Sequence, residues 1–180
     1  MKKLILSIAL LSLVACASSN PQKVADKRAE IDAMAAATLK GLFKESNGAK
    51  RLYDESYAYA VFSNVKVSII ITGGGGKGVS VEKASGKRTY MNMGLGGFNL
   101  GLGAHKYQVV FLFETEKVYA DFVEYGWTAD ASASAVAGVK GANAGTTFSH
   151  GMAIYPITDV GLMLTADITG TKYWKSKTLN

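Results

Sequence analysis

Residues 94–103 are Gly-Leu-Gly-Gly-Phe-Asn-Leu-Gly-Leu-Gly, a stretch in which glycine is interspersed with apolar side chains. Glycine inside a strand allows sharp coiling or close approach of another backbone, because it has no side chain. The strand-like segments on both sides are short and separated by turn signals. A closed or nearly closed barrel fits both features and removes exposed sheet edges. We therefore expect a barrel-like, twisted, glycine-rich sheet.

Most of the chain after Tyr57 has the composition of β-strands. One helix is expected to interrupt them at 116–125, where Val118, Tyr119, Phe122 and Val123 have the spacing of a buried helical face. The sequence thus predicts an α+β fold, mainly antiparallel β. The predicted strands cover 57–72, 78–83, 88–94, 107–113, 129–139, 147–155 and 160–168, with turns at 84–86, 141–143 and 156–159.

The segment before Tyr57 is predicted to be helical. Asn20 has the side chain of an N-cap and Pro21 suits the first helical position, so an amphipathic helix is expected over 22–44. A second, short helix is expected over 49–55, after a turn at Asn47 and Gly48. The apolar face of the first helix could lie on a membrane surface, but packing on the domain's own core is the favoured interpretation.

The first residues have the pattern of an export signal. Two lysines precede an apolar run, Leu4–Val14, which is shorter than the about 20 residues needed to span a bilayer. The sequence Leu-Val-Ala-Cys at 13–16 resembles the lipobox of bacterial lipoproteins, and Cys16 is the only cysteine. We expect a signal peptide at 1–15, a lipidated tether at 16–21 and a single domain at 22–180. The alternative is an ordinary signal peptide with an incidental cysteine.

Location and charge follow from this interpretation. Ala17 and Ser18 resemble outer-membrane sorting signals, so the expected place is the cell envelope, anchored in the outer membrane and facing the periplasm. Without Lys2 and Lys3, the 20 basic residues become 18 against 14 acidic ones, a net charge of +4. No segment concentrates this charge into a stripe, so a nucleic-acid partner is not expected.

No pattern in the sequence predicts catalysis, a cofactor or a metal site. His105 and His150 are far apart and lack carboxylate or thiol neighbours at ligand spacing, so both are interpreted as structural or surface residues. The serines at 132, 134 and 149 show no nucleophile elbow. We expect a protein that is not an enzyme.

A glycine tract is the main candidate for a binding site. Gly73, Gly74, Gly75 and Gly76 precede Lys77, but Gly78 stands where a phosphate-binding P-loop needs Ser or Thr. Consecutive glycines can form a concave nest of N–H groups that holds an anion, to which Lys77 adds charge. A flexible or bulged strand connection is an equally weighted alternative. The next hairpin could extend a basic rim, or could be a solvated tip, with Lys83, Lys87 and Arg88.

The same segments carry a resemblance to a known family. Ala-Tyr-Ala-Val-Phe at 58–62, the glycine tract at 73–79 and the stretch at 94–104 resemble the ordered blocks of the SYLF domain. Later blocks at 116–122 and 131–138 are also similar, so the resemblance covers roughly residues 30–173.

The resemblance implies binding of phospholipid. Eukaryotic SYLF proteins bind phosphoinositides, and some bind actin, whereas a clear counterpart of the basic actin-binding segment is not found here. We expect a membrane-tethered protein that binds phosphoinositide-like or other anionic headgroups, with Gly73 to Gly76 and Lys77 contacting the headgroup. A structural or scaffolding envelope protein that binds a protein partner is the alternative, and an unrecognised hydrolase ranks third.

Overall fold

A computed structural model gives the fold of the chain. Three helices and eight strands lie within the residues that the structure describes. The helices are α1 (Pro21–Glu45), α2 (Asn47–Glu55) and α3 (Glu116–Glu124). The strands are β1 (Ala58–Ser68), β2 (Ile71–Glu82), β3 (Arg88–Phe98), β4 (Gly103–Phe113), β5 (Trp127–Thr128), β6 (Met152–Thr158), β7 (Gly161–Leu162) and β8 (Thr171–Lys175). The structure describes residues 20–68, 71–98, 103–129, 147–158, 161–162 and 170–180.

The strands form one sheet in the order β5-β8-β3-β2-β1-β4-β6-β7, and every described pair is antiparallel. The sheet curls into a half-barrel, which confirms the predicted α+β, mainly antiparallel, barrel-like fold. Because side chains alternate along each strand, the sheet has two distinct faces. One face carries α1 and α2, and the other carries α3.

The apolar face of α1 packs on the sheet, as the favoured interpretation expected. Its buried residues are Ile31, Ala35, Leu39 and Leu42, and they contact outward-facing strand residues such as Val61. The helix begins as predicted, since Pro21 is its first residue and the Asn20 side chain accepts a hydrogen bond of 2.9 Å from the Gln22 N–H. Burial of these aliphatic side chains fixes α1 along the sheet.

An aromatic cluster fills the opposite face. The Phe62 ring lies 4.7 Å from that of Tyr173, and the Phe111 ring lies 5.0 Å from Tyr173 and 5.3 Å from Phe122 of α3. Such edge-on and tilted contacts are the favoured geometry for aromatic pairs. The cluster packs α3 against this face of the half-barrel.

Some local predictions were wrong. Asn47 and Gly48 belong to the first turn of α2, because the Ser46 hydroxyl caps that helix by accepting from the Ala49 N–H at 3.1 Å. Pro156 lies inside β6 and pairs with Val109 rather than starting a turn. The predicted strand 57–72 is β1 and the start of β2. Strand β8 was not predicted, and the predicted strand at 129–139 and turn at 141–143 lie mostly or wholly outside the described residues.

Candidate functional site

The glycine tract lies within a strand that is paired on both sides. Gly73 is opposite Val67 of β1 and Gly96 of β3, and Gly76 is opposite Asn64 and Met93. In a doubly paired strand the backbone N–H groups alternate in direction and bond to the neighbouring strands. An N–H nest, which needs successive N–H groups on one side, is therefore not formed at residues 73–76. At residues 73–76 the structure therefore shows a paired strand and no N–H nest.

Two positions of β2 need glycine because neighbouring atoms of β1 approach them closely on the face that carries α3. A Cβ placed on Gly76 would lie 2.0 Å from Asn64 Oδ1 and 2.4 Å from the Ser63 carbonyl oxygen. A Cβ on Gly78 would lie 2.5 Å from the Phe62 ring. Gly73, by contrast, has no such neighbour within 4 Å. The tract thus serves the packing of the sheet at some positions and leaves open surface at others.

The open surface is a groove of about 390 Å³ between α1 and the β1–β2 hairpin. It combines an apolar lining with charged side chains at its rim, and the glycine backbone of β2 forms part of its lining. Because Gly75 has no side chain, the sheet does not fill the groove at this position, whereas Gly76 contributes only backbone, since its missing side chain would lie on the opposite face. Its lining residues are Lys27, Glu30, Ile31, Met34, Ser63, Val65, Gly75, Gly76 and Lys77.

Lys77 is the predicted site residue that the groove brings into position. Its Nζ lies 3.4 Å from Asn92 Oδ1, and the ammonium forms no ion pair within the described part of the chain. The side chain is exposed, as is 41% of Val65 in the same groove. A solvated cation beside apolar side chains can bind an anionic group that carries a hydrocarbon part.

The same face of the sheet extends this basic surface. Opposed residues of antiparallel neighbours share a face, and the register places Lys106, Val65, Gly75, Gly94 and Lys172 in one row across four neighbouring pairs. Lys106 and Lys172 are both exposed. The adjacent row places Trp174 beside Asn92, and the Trp174 ring lies over Gly94, 2.9 Å from where a Cβ would stand. The ring is held in place while 40% of the residue stays exposed.

The predicted basic residues of the hairpin do not join this surface. Lys83 directly follows the last residue of β2 and is six positions from Lys77, a separation of about 20 Å along extended chain. Its Nζ donates to the carbonyl oxygens of Tyr53, Asp54 and Ser56 at 2.5 to 3.0 Å, where α2 ends. Burial lowers the pKa of Lys83, and the Asp54 carboxylate opposes that shift. Lys83 is therefore a structural cap.

Lys87 and Arg88 also lie at the end of β2 that turns into β3, which we call the hairpin end. The Arg88 Nε lies 3.5 Å from an oxygen of Asp32 on α1, so this guanidinium joins the helix to the sheet. Lys87 follows the turn at Gly86, whose φ of 69° suits glycine. The structure thus separates the eight predicted headgroup residues into the tract with Lys77 and three basic residues at the other end of β2.

The other predicted residues lie outside this groove or outside the described residues. Cys16 and the serines at 132 and 134 lie outside the described residues. His150 is exposed in a turn with its Nδ1 3.2 Å from the Ser149 hydroxyl. Among the described residues, no group of His, Cys, Asp and Glu could hold a metal ion. None of the described helices is long and apolar enough to cross a membrane.

The α1 residues that line the groove were not predicted as site residues from the sequence. Lys27, Glu30 and Met34 lie on one side of α1 at spacings of three and four, which was a visible signal of a shared face. The strand that this face approaches is decided only by how α1 packs. Trp174 was missed because β8 was not predicted.

Comparison with known proteins gives one relevant similarity. No family model matches the sequence. The chain is 41% identical over 160 residues to a protein named Beta cell expansion factor A, from Aeromonas veronii. The match covers 89% of this chain but 61% of that relative, so the chain spans about three fifths of the relative's length.

Proposed function

We propose that this protein is a lipid-anchored, SYLF-like envelope protein that binds phospholipid through the groove between α1 and β2. The observation that carries the proposal is the position of Lys77, exposed beside Val65 and Met34 in a groove whose lining includes glycine backbone. Phospholipids present an anionic phosphate directly above hydrocarbon. A cation next to exposed apolar side chains is complementary to that arrangement.

The surrounding charges support membrane attraction. Lys77, Lys106 and Lys172 lie on one face of the sheet, and each basic residue near an anionic membrane contributes on the order of 1 kcal/mol, less at high salt. Exposed Trp174 on the same face is suited to the interface between headgroups and acyl chains. The site therefore binds weakly by itself and is sensitive to salt.

An acyl chain on Cys16 would make weak binding sufficient. Two attachments to one membrane act together, because the first gives the second a high effective concentration, in the millimolar range for short flexible linkers. In this proposal the groove orients a domain that the lipid already holds at the outer membrane, and the domain performs no reaction of its own.

The proposal is tested by cosedimentation with vesicles. Residues 17–180 contain every described element and lack Cys16, so their binding reports on the domain alone. We expect stronger binding to vesicles containing phosphatidylglycerol than to phosphatidylcholine vesicles, and weaker binding at higher salt. Reversal of one charge by Lys77→Glu should weaken binding to the anionic vesicles by roughly tenfold at low salt.

Two matched reversals serve as controls. Lys87→Glu changes the far hairpin end, and Lys117→Glu changes α3 on the opposite face, where Lys117 pairs with Asp121 at 2.7 Å. Both should bind nearly as the unaltered protein does. Equal binding to anionic and neutral vesicles, or indifference to Lys77→Glu, would refute the headgroup site and favour the alternative of an envelope protein that binds a protein partner.

A further inference from the structure

The groove carries charges of both signs. Lys27 and Lys77 supply two cations, and Glu30 supplies a carboxylate among the same lining residues. From this arrangement we infer that the groove recognises the phosphoethanolamine group of a membrane lipid, with the lysines on the phosphate and Glu30 on the primary ammonium. The inference rests on the proposed phospholipid function and names the headgroup class.

The carboxylate is held at the groove by its own helix. Lys27 Nζ lies 2.7 Å from Glu30 Oε2, one turn apart on α1. The side chains are 38% and 68% exposed, and an ion pair in such a position contributes little to stability because water screens it. A ligand ammonium can therefore replace Lys27 on Glu30 with little loss.

This exchange leaves every charge with a partner. The ammonium of the ligand takes over the Glu30 carboxylate, and the released Lys27 joins Lys77 on the phosphate. An anion without an ammonium would draw Lys27 away from Glu30 and leave the carboxylate facing the bound phosphate. Glu30 thus favours a zwitterionic group over a bare phosphate with the same attachment.

The uncharged part of the lining distinguishes ethanolamine from choline. A primary ammonium donates hydrogen bonds to a carboxylate, whereas a quaternary ammonium has none to donate and is typically bound by aromatic rings. None of the nine described lining residues is aromatic. Ile31, Met34 and Val65 are apolar and suit the glycerol and first acyl carbons of a lipid.

The test compares vesicles that have the same net charge. Residues 17–180 are mixed with phosphatidylcholine vesicles in which part of the lipid is replaced by phosphatidylethanolamine, and with vesicles of phosphatidylcholine alone. We expect about fivefold tighter binding to the ethanolamine vesicles, the ratio that about 1 kcal/mol gives. Glu30→Gln should abolish this preference. Because the variant and the unaltered protein are compared on the same vesicles, differences in membrane packing cannot explain the change. Glu114 is exposed and lies outside the groove, so Glu114→Gln should retain the preference.

The outcomes separate this inference from the proposed function. Glu30→Gln should also keep or increase binding to phosphatidylglycerol vesicles, whereas Lys77→Gln should weaken binding to every vesicle. Two results would overturn the ethanolamine assignment alone, provided that binding to anionic vesicles still depends on Lys77. One is the absence of a preference for ethanolamine vesicles. The other is a preference that survives Glu30→Gln. Soluble O-phosphoethanolamine should compete only at millimolar concentration, and competition at micromolar concentration would show that a free small molecule is the ligand instead.

Discussion

The two ends of β2 use lysine in different ways. At the hairpin end, Lys83 is surrounded by three carbonyl oxygens from the end of α2, and Arg88 is paired with Asp32. At the glycine end, Lys77 has one contact of 3.4 Å, to Asn92, and faces a groove. Lys77 lies in β2, Lys83 directly follows that strand, and both carry the same charge, so their different surroundings come from what α1 and α2 place beside them.

The comparison shows when a basic residue is available to a ligand. A lysine whose ammonium already donates to partly buried carbonyl oxygens would leave them without this donor if it moved, and an unsatisfied buried acceptor is costly. Among the described residues, the Lys77 ammonium has a single contact, of 3.4 Å to Asn92 Oδ1. This contrast gives the hairpin end a structural role and supports the proposed binding role of the glycine end.

The largest expected effect comes from Gly76→Ala at the glycine end. The added Cβ would meet Asn64 and the Ser63 backbone at 2.0 and 2.4 Å, so we expect a loss of roughly 3 kcal/mol in the free energy of unfolding. Gly73→Ala, with nothing within 4 Å, should change it by less than about 0.5 kcal/mol. Urea denaturation measures both. Equal effects of the two substitutions would mean that the close approach at Gly76 does not constrain the sheet.

A smaller effect is expected for Lys83→Met at the hairpin end. Methionine keeps the length of the side chain but removes the donor to three carbonyl oxygens, so we expect a loss of about 1 to 2 kcal/mol. Lys87→Met is the matched control and should have almost no effect. Neither substitution should change the binding of anionic vesicles by more than a small factor. An unchanged free energy of unfolding in Lys83→Met would show that the three hydrogen bonds of Lys83 do not stabilise the protein.

The smallest expected effect is a pH dependence at the hairpin end. The hydrogen bond of 2.7 Å from Tyr57 to Glu82 raises the pKa of Tyr57 to about 12 and lowers the pKa of Glu82. A raised pKa means that the Tyr57 contribution is present below pH 10 and is lost as pH rises from 10 through about 12. A lowered pKa means that the Glu82 contribution is present above pH 4.5 and is lost as pH falls below it.

The variant Tyr57→Phe separates this pair from the rest of the protein. It should flatten the stability profile at both limits, as measured by denaturation across pH, because the hydroxyl is the shared group. Tyr155→Phe is the control, since burial raises the pKa of Tyr155 to about 12 and its removal should change only the alkaline side. An unchanged acid limit in Tyr57→Phe would show that Glu82 is stabilised by other partners.

Much of the local structure was predictable because the signals are local. The cap at Asn20 with Pro21, the spacing of Ile31, Ala35, Leu39 and Leu42, and the turn at Gly86 each depend on a few neighbouring residues. Strand β8 was not predicted because five residues that include Lys172 and Lys175 resemble a surface loop, and the burial of Tyr173 in the aromatic cluster is not visible in the sequence.

The candidate site was predictable only in part. The glycine tract and Lys77 were identified from sequence, but their pairing in β2 removed the expected nest, since long-range strand pairing takes the N–H groups that a nest would present. Lys83, Lys87 and Arg88 are near Lys77 in sequence, yet an extended strand separates them by its length.

By itself, the sequence determined the fold class, because alternation, capping and turn chemistry depend on short segments, and it identified the glycine tract with Lys77 as the candidate binding site. It also carries the lipobox-like pattern at Cys16, which remains a prediction. Only the tertiary structure decided which lysine is free to bind. The packing of α1 brings Lys27, Glu30 and Met34 to β2, and the packing of α2 occupies Lys83, since contacts between residues far apart in the chain depend on how the elements pack and not on local pattern.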